Sequence, residues 1–199
     1  MEGLLSYLGK DYNNLYTQDF ICHGVPSPEV WQKYLKYKKK LTGDNPLKIN
    51  FRNKNILGWS NYHVHYQYSN SEENVHHKEE PYMNLFLKNL ILRESCYNCQ
   101  FKKIKRNSDI TIADFWGINK VKPDFNDEKG VSAILVHSKK GKEVFEAIKN
   151  YIEFSIADIE DIMKYNSCIY KSAPYNSKRE AFFEDLGNEN FETLIKKYL

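Results

Sequence analysis

Strand-type and helix-type hydrophobic patterns follow one another along this chain, and their order restricts the fold more than any other feature. Residues 62–68 alternate aromatic or aliphatic side chains with polar ones, which is the period of a half-buried strand. A helix is predicted to begin at Ser27-Pro28, because serine suits the N-cap and proline lacks the N–H that a first-turn residue leaves unbonded. We therefore predict an α/β or α+β fold, with a mixed sheet flanked by helices in a single domain.

The same patterns locate the other elements. Strands are predicted within 15–25, 47–69 and 110–114, and at 131–136, where a nearly continuous apolar run is typical of a strand buried on both faces. Helices are predicted in the first residues, then over 28–41, 81–91, 139–151, 159–165, 178–186 and 189–198. Residues 70–79 are polar and are predicted to form a loop or a short continuation of the strand before them. The four lysines within 36–40 are interpreted as a solvated face.

Charge and hydropathy exclude several classes of protein. The net charge of +3 is too small to indicate nucleic-acid binding. No apolar run approaches the roughly 20 residues of a membrane-spanning helix, and the first residues lack the features of a signal peptide. Four cysteines, two of them spaced C-x-x-C, favour a reducing compartment. We therefore expect a cytoplasmic protein with a metal or a cluster, and regard a disulfide framework as the weaker alternative.

Cys96 and Cys99 form the strongest local signal for chemistry. Two thiolates three positions apart can bind one metal ion or one corner of a cluster, because the turn between them directs both sulfurs inward. The basic residues within 102–106 would favour the thiolate forms and offset the charge of a cluster. From spacing alone, two ordinary buried thiols are an equally good interpretation.

A second candidate site lies where the first predicted strand meets a helix. Cys22 and His23 end the strand, Gly24 allows close backbone approach or a positive φ, and Ser27 begins the helix. Free N–H groups at a helix N-terminus attract an anion such as a cofactor phosphate. The alternative is a strand–turn–helix connection that binds no ligand.

Aromatic rings and a carboxylate follow the strand at 110–114. Asp114 is followed by Phe115, Trp116 and a glycine, a pattern that suits the wall of a flat cofactor; the alternative is that both rings are core residues. The other candidates are weaker. His63 and His65 share a strand face, as in some metal sites, but they more often line a solvated sheet face, and residues 76–77 are predicted to lie at the surface. Cys168 is interpreted as a bystander. No hydrolase or nucleotide-triphosphatase motif is present.

Several motifs occur together in an order that resembles one family. They are C-H-G-V-P-S-P at 22–28, F-R at 51–52 with G-W at 58–59, Y-M at 82–83, C-Y-N-C at 96–99, S-D-I-T-I-A-D-F-W-G at 108–117, K-S-A at 171–173 and R-E-A-F-F at 179–183. This series resembles the C-terminal domain of the coenzyme F420 hydrogenase/dehydrogenase beta subunits. The resemblance extends over nearly the whole chain, and residues 1–199 are taken as that domain.

The resemblance implies a protein that binds FAD and a 4Fe-4S cluster and passes electrons between ferredoxin-type clusters and the flavin. It implies that Cys22, Cys96 and Cys99 are cluster ligands and that the partner is a ferredoxin-type electron donor or acceptor. From the helix start and the strand end described above, we predict that the flavin lies at His23, Gly24, Ser27, Asp114, Phe115 and Trp116. In bacteria the resemblance further implies a link to surface-polysaccharide biosynthesis.

Two departures from the family pattern lead us to expect an N-terminally truncated chain. Family members usually carry a ferredoxin domain and a G-T-P-C-Q segment before the region matched here, and the cysteine of that segment would be the fourth ligand. The alternative function is a non-catalytic structural or interaction domain whose cysteines bind zinc or no metal.

Overall fold

The computed structural model describes residues 1–199 and divides them into two compact units. Unit 1 comprises Met1–His23 and Gln100–Lys171, and unit 2 comprises Gly24–Cys99 and Ser172–Leu199. Each unit is therefore built from two separated stretches of chain, and no linker in the sequence marks where one stretch ends.

Helices and small sheets alternate along the chain, and the fold class is α+β, as predicted. The helices are α1 (Glu2–Leu8), α2 (Pro28–Thr42), α3 (Pro81–Leu87), α4 (Ile118–Val121), α5 (Lys139–Ile148), α6 (Ile159–Tyr165), α7 (Arg179–Asn188) and α8 (Phe191–Tyr198). The strands are β1 (Gln18–Phe20), β2 (Lys48–Asn53), β3 (His63–Gln67), β4 (Glu72–His76), β5 (Ile110–Asp114) and β6 (Ser132–Val136). None of the helices combines the length and the apolar character needed to cross a bilayer.

The sheet of unit 1 is mixed, which confirms that part of the prediction. β1 pairs in parallel with β5, and β5 pairs antiparallel with β6, so that β5 lies in the centre. β1 has only three residues, fewer than the predicted strand, because the chain leaves the sheet after Ile21 N–H donates to the Ile112 carbonyl at 2.9 Å. Phe115, Ile118 and Ile162 are among the residues of the apolar core beneath this sheet.

β6 is predicted from its sequence to be buried on both faces, and that prediction is wrong. β6 is an edge strand that pairs only with β5, and Val136 at its end is 42% exposed. An apolar run indicates that a strand is hydrophobic, but it does not indicate how many neighbouring strands pair with it.

A buried carboxylate joins three elements of unit 1. Asp109 accepts hydrogen bonds from the Thr17 N–H and hydroxyl, both at 2.7 Å, and from the Ser138 hydroxyl at 2.5 Å. The Ser138 Oγ in turn accepts the Gly141 N–H and caps α5. Burial acts to raise the pKa of Asp109, but the hydrogen bonds from Ser138 and Thr17 outweigh it and lower that pKa. The carboxylate therefore fixes the starts of β1, β5 and α5 together.

The sheet of unit 2 is an antiparallel meander of β2, β3 and β4. β3 agrees with the alternation in the sequence, since Val64 and Tyr66 are fully buried. β4 occupies half of residues 70–79, which were predicted to form a loop or a short continuation of the preceding strand, because its polar residues pair with β3 along the whole strand. Cross-strand pairing stabilises β4 although its side chains have weak strand preference.

Aromatic rings dominate the core between the helices and the sheet of unit 2. The Tyr34 ring on α2 lies 5.4 Å from the Tyr82 ring on α3 and 5.2 Å from the Phe191 ring on α8. The prediction of a solvated lysine face on α2 is wrong for Lys38, which is buried, forms an ion pair with Glu73 and lies 4.4 Å from the centroid of the Tyr66 ring. Its ammonium is satisfied inside the unit, whereas its helical neighbours face solvent.

Glu80 is the only fully buried carboxylate of this core, and tyrosines surround it. Its Oε1 accepts the Tyr66 hydroxyl at 2.7 Å and the Tyr34 hydroxyl, and its Oε2 caps α3 by accepting the Met83 N–H at 2.6 Å. Burial raises the pKa of Tyr34 and of Tyr66, and the charge of Glu80 raises both further. Burial likewise raises the pKa of Tyr82 to about 12.

Candidate functional site

The Cys96–Cys99 segment lies in unit 2, against the strand-like stretch that leads into α2. Arg93 N–H donates to the Val25 carbonyl at 2.8 Å, and Cys96 ends the short 3-10 turn that follows. This pairing brings the Val25 N–H to the Cys96 Sγ at 3.3 Å. A backbone donor to sulfur is an arrangement that stabilises a thiolate or a metal-bound sulfur.

Side chains on both sides of the C-x-x-C turn hold its backbone in place. The Cys99 N–H donates to the Ser172 hydroxyl at 2.9 Å, and the Tyr97 hydroxyl donates to the Asn89 carbonyl. Arg179 donates to the Leu92 carbonyl from Nε at 3.3 Å and from Nη2 at 3.2 Å. Burial raises the pKa of Tyr97, although the nearby Arg179 guanidinium partly opposes the shift. These contacts fix the turn through its backbone and the Tyr97 side chain, and the Cys96 thiol adds a contact to the Val25 carbonyl at 3.9 Å.

Cys96 and Cys99 are the pair predicted to hold one side of a cluster or zinc site. Both thiols are half-buried, and all four cysteines of the chain are thiols rather than disulfides. No group of three or more His, Cys, Asp or Glu side chains is arranged to hold a metal ion. A four-coordinate site would therefore need ligands beyond this pair, and the assignment of Cys22 as a third ligand stays a prediction.

Cys22 and His23 end the first stretch of unit 1, two or three residues after β1. Lys102 Nζ donates to the Cys22 carbonyl, and Arg106 forms an ion pair with Asp19 of β1 at 3.0 Å. Lys102 and Arg106 of the basic segment therefore lie at β1 and the residues that follow it within this unit. Cys168, interpreted as a bystander, lies with its Sγ 3.9 Å from the His23 Nδ1, a contact that no local pattern indicates.

Asp114, Phe115 and Trp116 end β5 in unit 1 and differ in exposure. Phe115 is 4% exposed and belongs to the apolar core, which favours the core interpretation for this ring. Trp116 is 44% exposed and presents a ring surface to solvent. The Asp114 carbonyl accepts the Asn166 Nδ2 at 3.1 Å, which ties the end of the strand to the turn after α6.

Gly24 and Ser27 lie at the start of unit 2. A Cβ at Gly24 would come within 2.7 Å of the Leu92 Cδ1, so close approach to Leu92 accounts for this glycine, and its φ is not positive. Ser27 is the N-cap residue of α2, with Pro28 in the first turn as predicted, but its side chain forms no capping hydrogen bond. Its N–H donates to the Ile91 carbonyl at 2.8 Å.

The histidines do not form a metal site. The His63 and His76 rings meet edge to face across β3 and β4 at 5.2 Å, and His65 pairs with Glu72 at 3.4 Å. The prediction that residue 77 lies at the surface is wrong: His77 is buried and stacks on the Tyr62 ring at 4.4 Å. Burial lowers the pKa of His77, because desolvation disfavours the imidazolium.

Comparison with protein families gives one match, which covers most of the chain. Residues 4–162 match the family described as the C terminus of the coenzyme F420 hydrogenase/dehydrogenase beta subunit. The chain belongs to this family. Membership assigns it the context of a hydrogenase/dehydrogenase-type beta subunit, an oxidoreductase. No curated protein and no solved structure is significantly similar to the chain.

The family match includes all three predicted cluster ligands and all the predicted flavin residues, since every one lies between residues 4 and 162. Sequence reasoning missed two groups that support the cysteines. Val25 and Ser172 both belong to motifs that carry the resemblance, but neither motif indicates the contact of the Val25 N–H with Cys96 or of the Ser172 hydroxyl with Cys99.

Proposed function

We propose that the chain is the electron-transfer part of a hydrogenase/dehydrogenase-type beta subunit, with a 4Fe-4S cluster on Cys22, Cys96 and Cys99 and an FAD nearby. The proposed partner is a ferredoxin-type electron donor or acceptor, and in a bacterium the pathway served would be surface-polysaccharide biosynthesis. When bound, the cluster supplies single electrons and the flavin converts between single electrons and hydride. The hydrogen bond from Val25 N–H to Cys96 Sγ at 3.3 Å is the observation that carries this proposal.

The residues of the chain would hold the cofactors and set their potentials. The Val25 N–H places partial positive charge at the Cys96 sulfur, which stabilises the more negative, reduced state of a cluster. Lys102, which donates to the Cys22 carbonyl, places a positive charge at the residue proposed as the third ligand and would offset the negative charge of a cluster. The Ser172 hydroxyl fixes the Cys99 backbone, so that sulfur keeps its direction as the charge of the site changes.

The flavin part of the proposal depends on exposed groups. Trp116 has an exposed ring that could pack against a flat isoalloxazine, with Asp114 beside it. Ser27 begins a helix of 15 residues whose first N–H groups favour an anion such as a cofactor phosphate. His23 and Gly24 precede Ser27 by four and three positions in the sequence and complete the proposed flavin residues.

Iron binding tests the cysteine assignment. The protein, purified and reconstituted with iron and sulfide without oxygen, is expected to bind iron and to absorb broadly in the visible region. Cys96→Ser is expected to abolish that iron, whereas Cys168→Ser serves as the matched control and retains it. Iron at the wild-type level in Cys96→Ser would contradict the assignment, and a colourless protein with stoichiometric zinc would favour the non-catalytic alternative.

A second variant tests the role of the backbone donor. Val25→Pro removes the N–H that faces Cys96 but leaves the Val25 carbonyl that accepts the Arg93 N–H. We expect the cluster of this variant to have a lower reduction potential than that of Val25→Ala, which keeps the N–H. Equal potentials in the two variants would show that the hydrogen bond has no influence on the cluster.

A further inference from the structure

The two ends of the β5–β6 ladder define which backbone groups of β6 are used. Phe115 N–H donates to the Val131 carbonyl at 2.8 Å at one end, and His137 N–H donates to the Asp109 carbonyl at 2.9 Å at the other. In an antiparallel pair, hydrogen-bonded and non-hydrogen-bonded residue pairs alternate. Counted along the register between these two ends, every second residue of β6 forms its backbone hydrogen bonds with β5.

The remaining residues, Ser132, Ile134 and Val136, direct their N–H and C=O groups away from β5. No other strand pairs with β6, and no backbone hydrogen bond reaches these groups from elsewhere in the chain. An unpaired edge of this kind is a template for another strand. Because each outward residue offers a donor and an acceptor, the edge can recognise the main chain of an extended peptide.

This edge opens into a cleft of about 810 Å³ in unit 1. The outward residues of β6 form part of its lining, together with the apolar rings of Phe115, Phe125 and Phe145. The strap, residues 152–157, also lines it; the strap has no regular secondary structure and forms no backbone hydrogen bond to β6. The cleft therefore separates a strand edge from an extended segment that does not pair with it.

Apolar side chains around the cleft are uncovered in this chain. Val136 is 42% exposed, Phe154 is 46% exposed and Ile156 is 84% exposed. Along the strap, apolar Ile152, Phe154 and Ile156 alternate with Glu153 and Ser155, the pattern of a strand that packs one face. An exposed apolar cluster beside an unpaired edge marks an interaction site rather than a finished surface.

We propose that the cleft binds an extended segment of a partner protein, which adds to the sheet of unit 1 as a fourth strand beside β6. β6 has five residues, so a segment of about five residues can pair along its whole length. The apolar lining of the cleft selects a segment with alternating apolar side chains.

The charges of the cleft indicate that the segment is basic. Lys149 forms an ion pair with Glu146, whereas Lys122 donates to the Ser155 hydroxyl at 2.8 Å, which is a neutral partner. The carboxylates of the lining outnumber these two lysines by two; they are Asp124, Asp127, Glu146 and Glu153. Asp124 and Glu153 also line the cleft and form no ion pair. Lysine or arginine residues flanking the apolar positions would complement these two carboxylates.

The probe for this proposal is the synthetic peptide Lys-Val-Thr-Val-Thr-Val-Lys, followed by amide chemical shifts and hydrogen exchange of the full chain. In the free protein, the Ile134 and Val136 amides are expected to exchange rapidly, whereas the Leu135 amide is protected by β5. Addition of the peptide is expected to protect Ile134 and Val136. Two control peptides carry backbone N-methyl groups on alternate residues, in the two possible phases. One phase is expected to lose at least about tenfold in affinity, because it removes the donors that face β6.

A protein variant tests the same contact from the other side. Ile134→Pro removes an outward N–H without breaking a bond to β5, and proline is tolerated on edge strands in that position. We expect it to bind the peptide at least about tenfold more weakly than the matched control Ile134→Ala. If Ile134→Pro does not fold, the N-methylated peptides give the answer with the unaltered protein.

A charge variant tests the basic character of the segment. Asp124→Asn combined with Glu153→Gln is expected to weaken peptide binding several-fold and to reduce its dependence on salt. Glu143→Gln, on α5 and outside the cleft, is the matched control and is expected to bind as the unaltered protein does.

Four results would overturn the proposal. They are equal binding of the unmodified and both N-methylated peptides, absence of binding up to about 1 mM peptide, protection of Ile134 in the free protein, and displacement of the peptide by FAD. In the third case, sedimentation would distinguish a second copy from closure of the strap. None of these results depends on the cysteines, so the failure of this proposal leaves the cluster assignment unchanged.

Discussion

Replacement of Glu80 by alanine is expected to destabilise unit 2 by about 2–4 kcal/mol. The carboxylate is fully buried and accepts the Tyr34 and Tyr66 hydroxyls and the Met83 N–H. Its loss leaves two buried hydroxyls, which lie 3.3 Å apart and can satisfy only one donor between them. One hydroxyl donor without an acceptor costs about 1–3 kcal/mol, and loss of the α3 cap adds about 1 kcal/mol.

Urea unfolding followed by circular dichroism measures this effect. With an m-value of about 2 kcal/mol/M, the midpoint is expected to fall by about 1–2 M. Glu79→Ala is the matched control, since Glu79 is the adjacent residue, is exposed and is expected to change stability by less than about 0.5 kcal/mol. A loss below about 1 kcal/mol in Glu80→Ala would refute the reasoning, because it would mean that the tyrosines find other partners at little cost.

Three further predictions concern stability and pH. Burial raises the pKa of Tyr34 above its ordinary 10.0, so at high pH the folded state keeps a proton that the unfolded chain releases. The free energy of unfolding is therefore expected to fall above about pH 10, and to fall less steeply in Tyr34→Phe. Urea unfolding across pH measures this dependence. Gly117→Ala should lower the melting temperature by a loss of about 1–3 kcal/mol, because its Cβ would lie 2.0 Å from the Tyr165 Cδ2. Gly187→Ala, with no atom within 4 Å, should be neutral or stabilising. Folding lowers the pKa of Asp109, so its carboxylate stabilises the protein above the unfolded pKa near 3.8, and this stabilisation is lost as the pH falls through the folded pKa. If Asp109→Asn lost stability in acid as the unaltered protein does, that result would contradict this prediction.

Local signals in the sequence located the elements well. The start of α2 at Pro28, the alternation along β3 and the strand β5 were all predicted, because each depends on residues within a few positions of one another. The ends were less accurate. α5 stops at Ile148 and continues as a 3-10 turn, although the apolar spacing extends further.

The candidate site was predicted as a set of residues and not as an arrangement. C-x-x-C spacing identified Cys96 and Cys99, since two thiols on one turn are a local feature. The Val25 N–H and the Ser172 hydroxyl lie more than seventy positions from the cysteines that they contact, and the sequence of neither segment indicates that contact. The same limit applies to Cys168, whose neighbour is His23.

The sequence by itself determined the α+β class, the order of the elements and the family of the chain, because hydrophobic period and motif order are properties of neighbouring residues. Only the tertiary structure decided that β6 is an edge, that Lys38 and Glu80 are buried, and that the chain divides into two units. These outcomes depend on which distant segments pack together. The hydrophobic pattern of a strand indicates which of its faces are apolar. The number of neighbouring strands and the partners of buried charges are determined only when distant segments pack together.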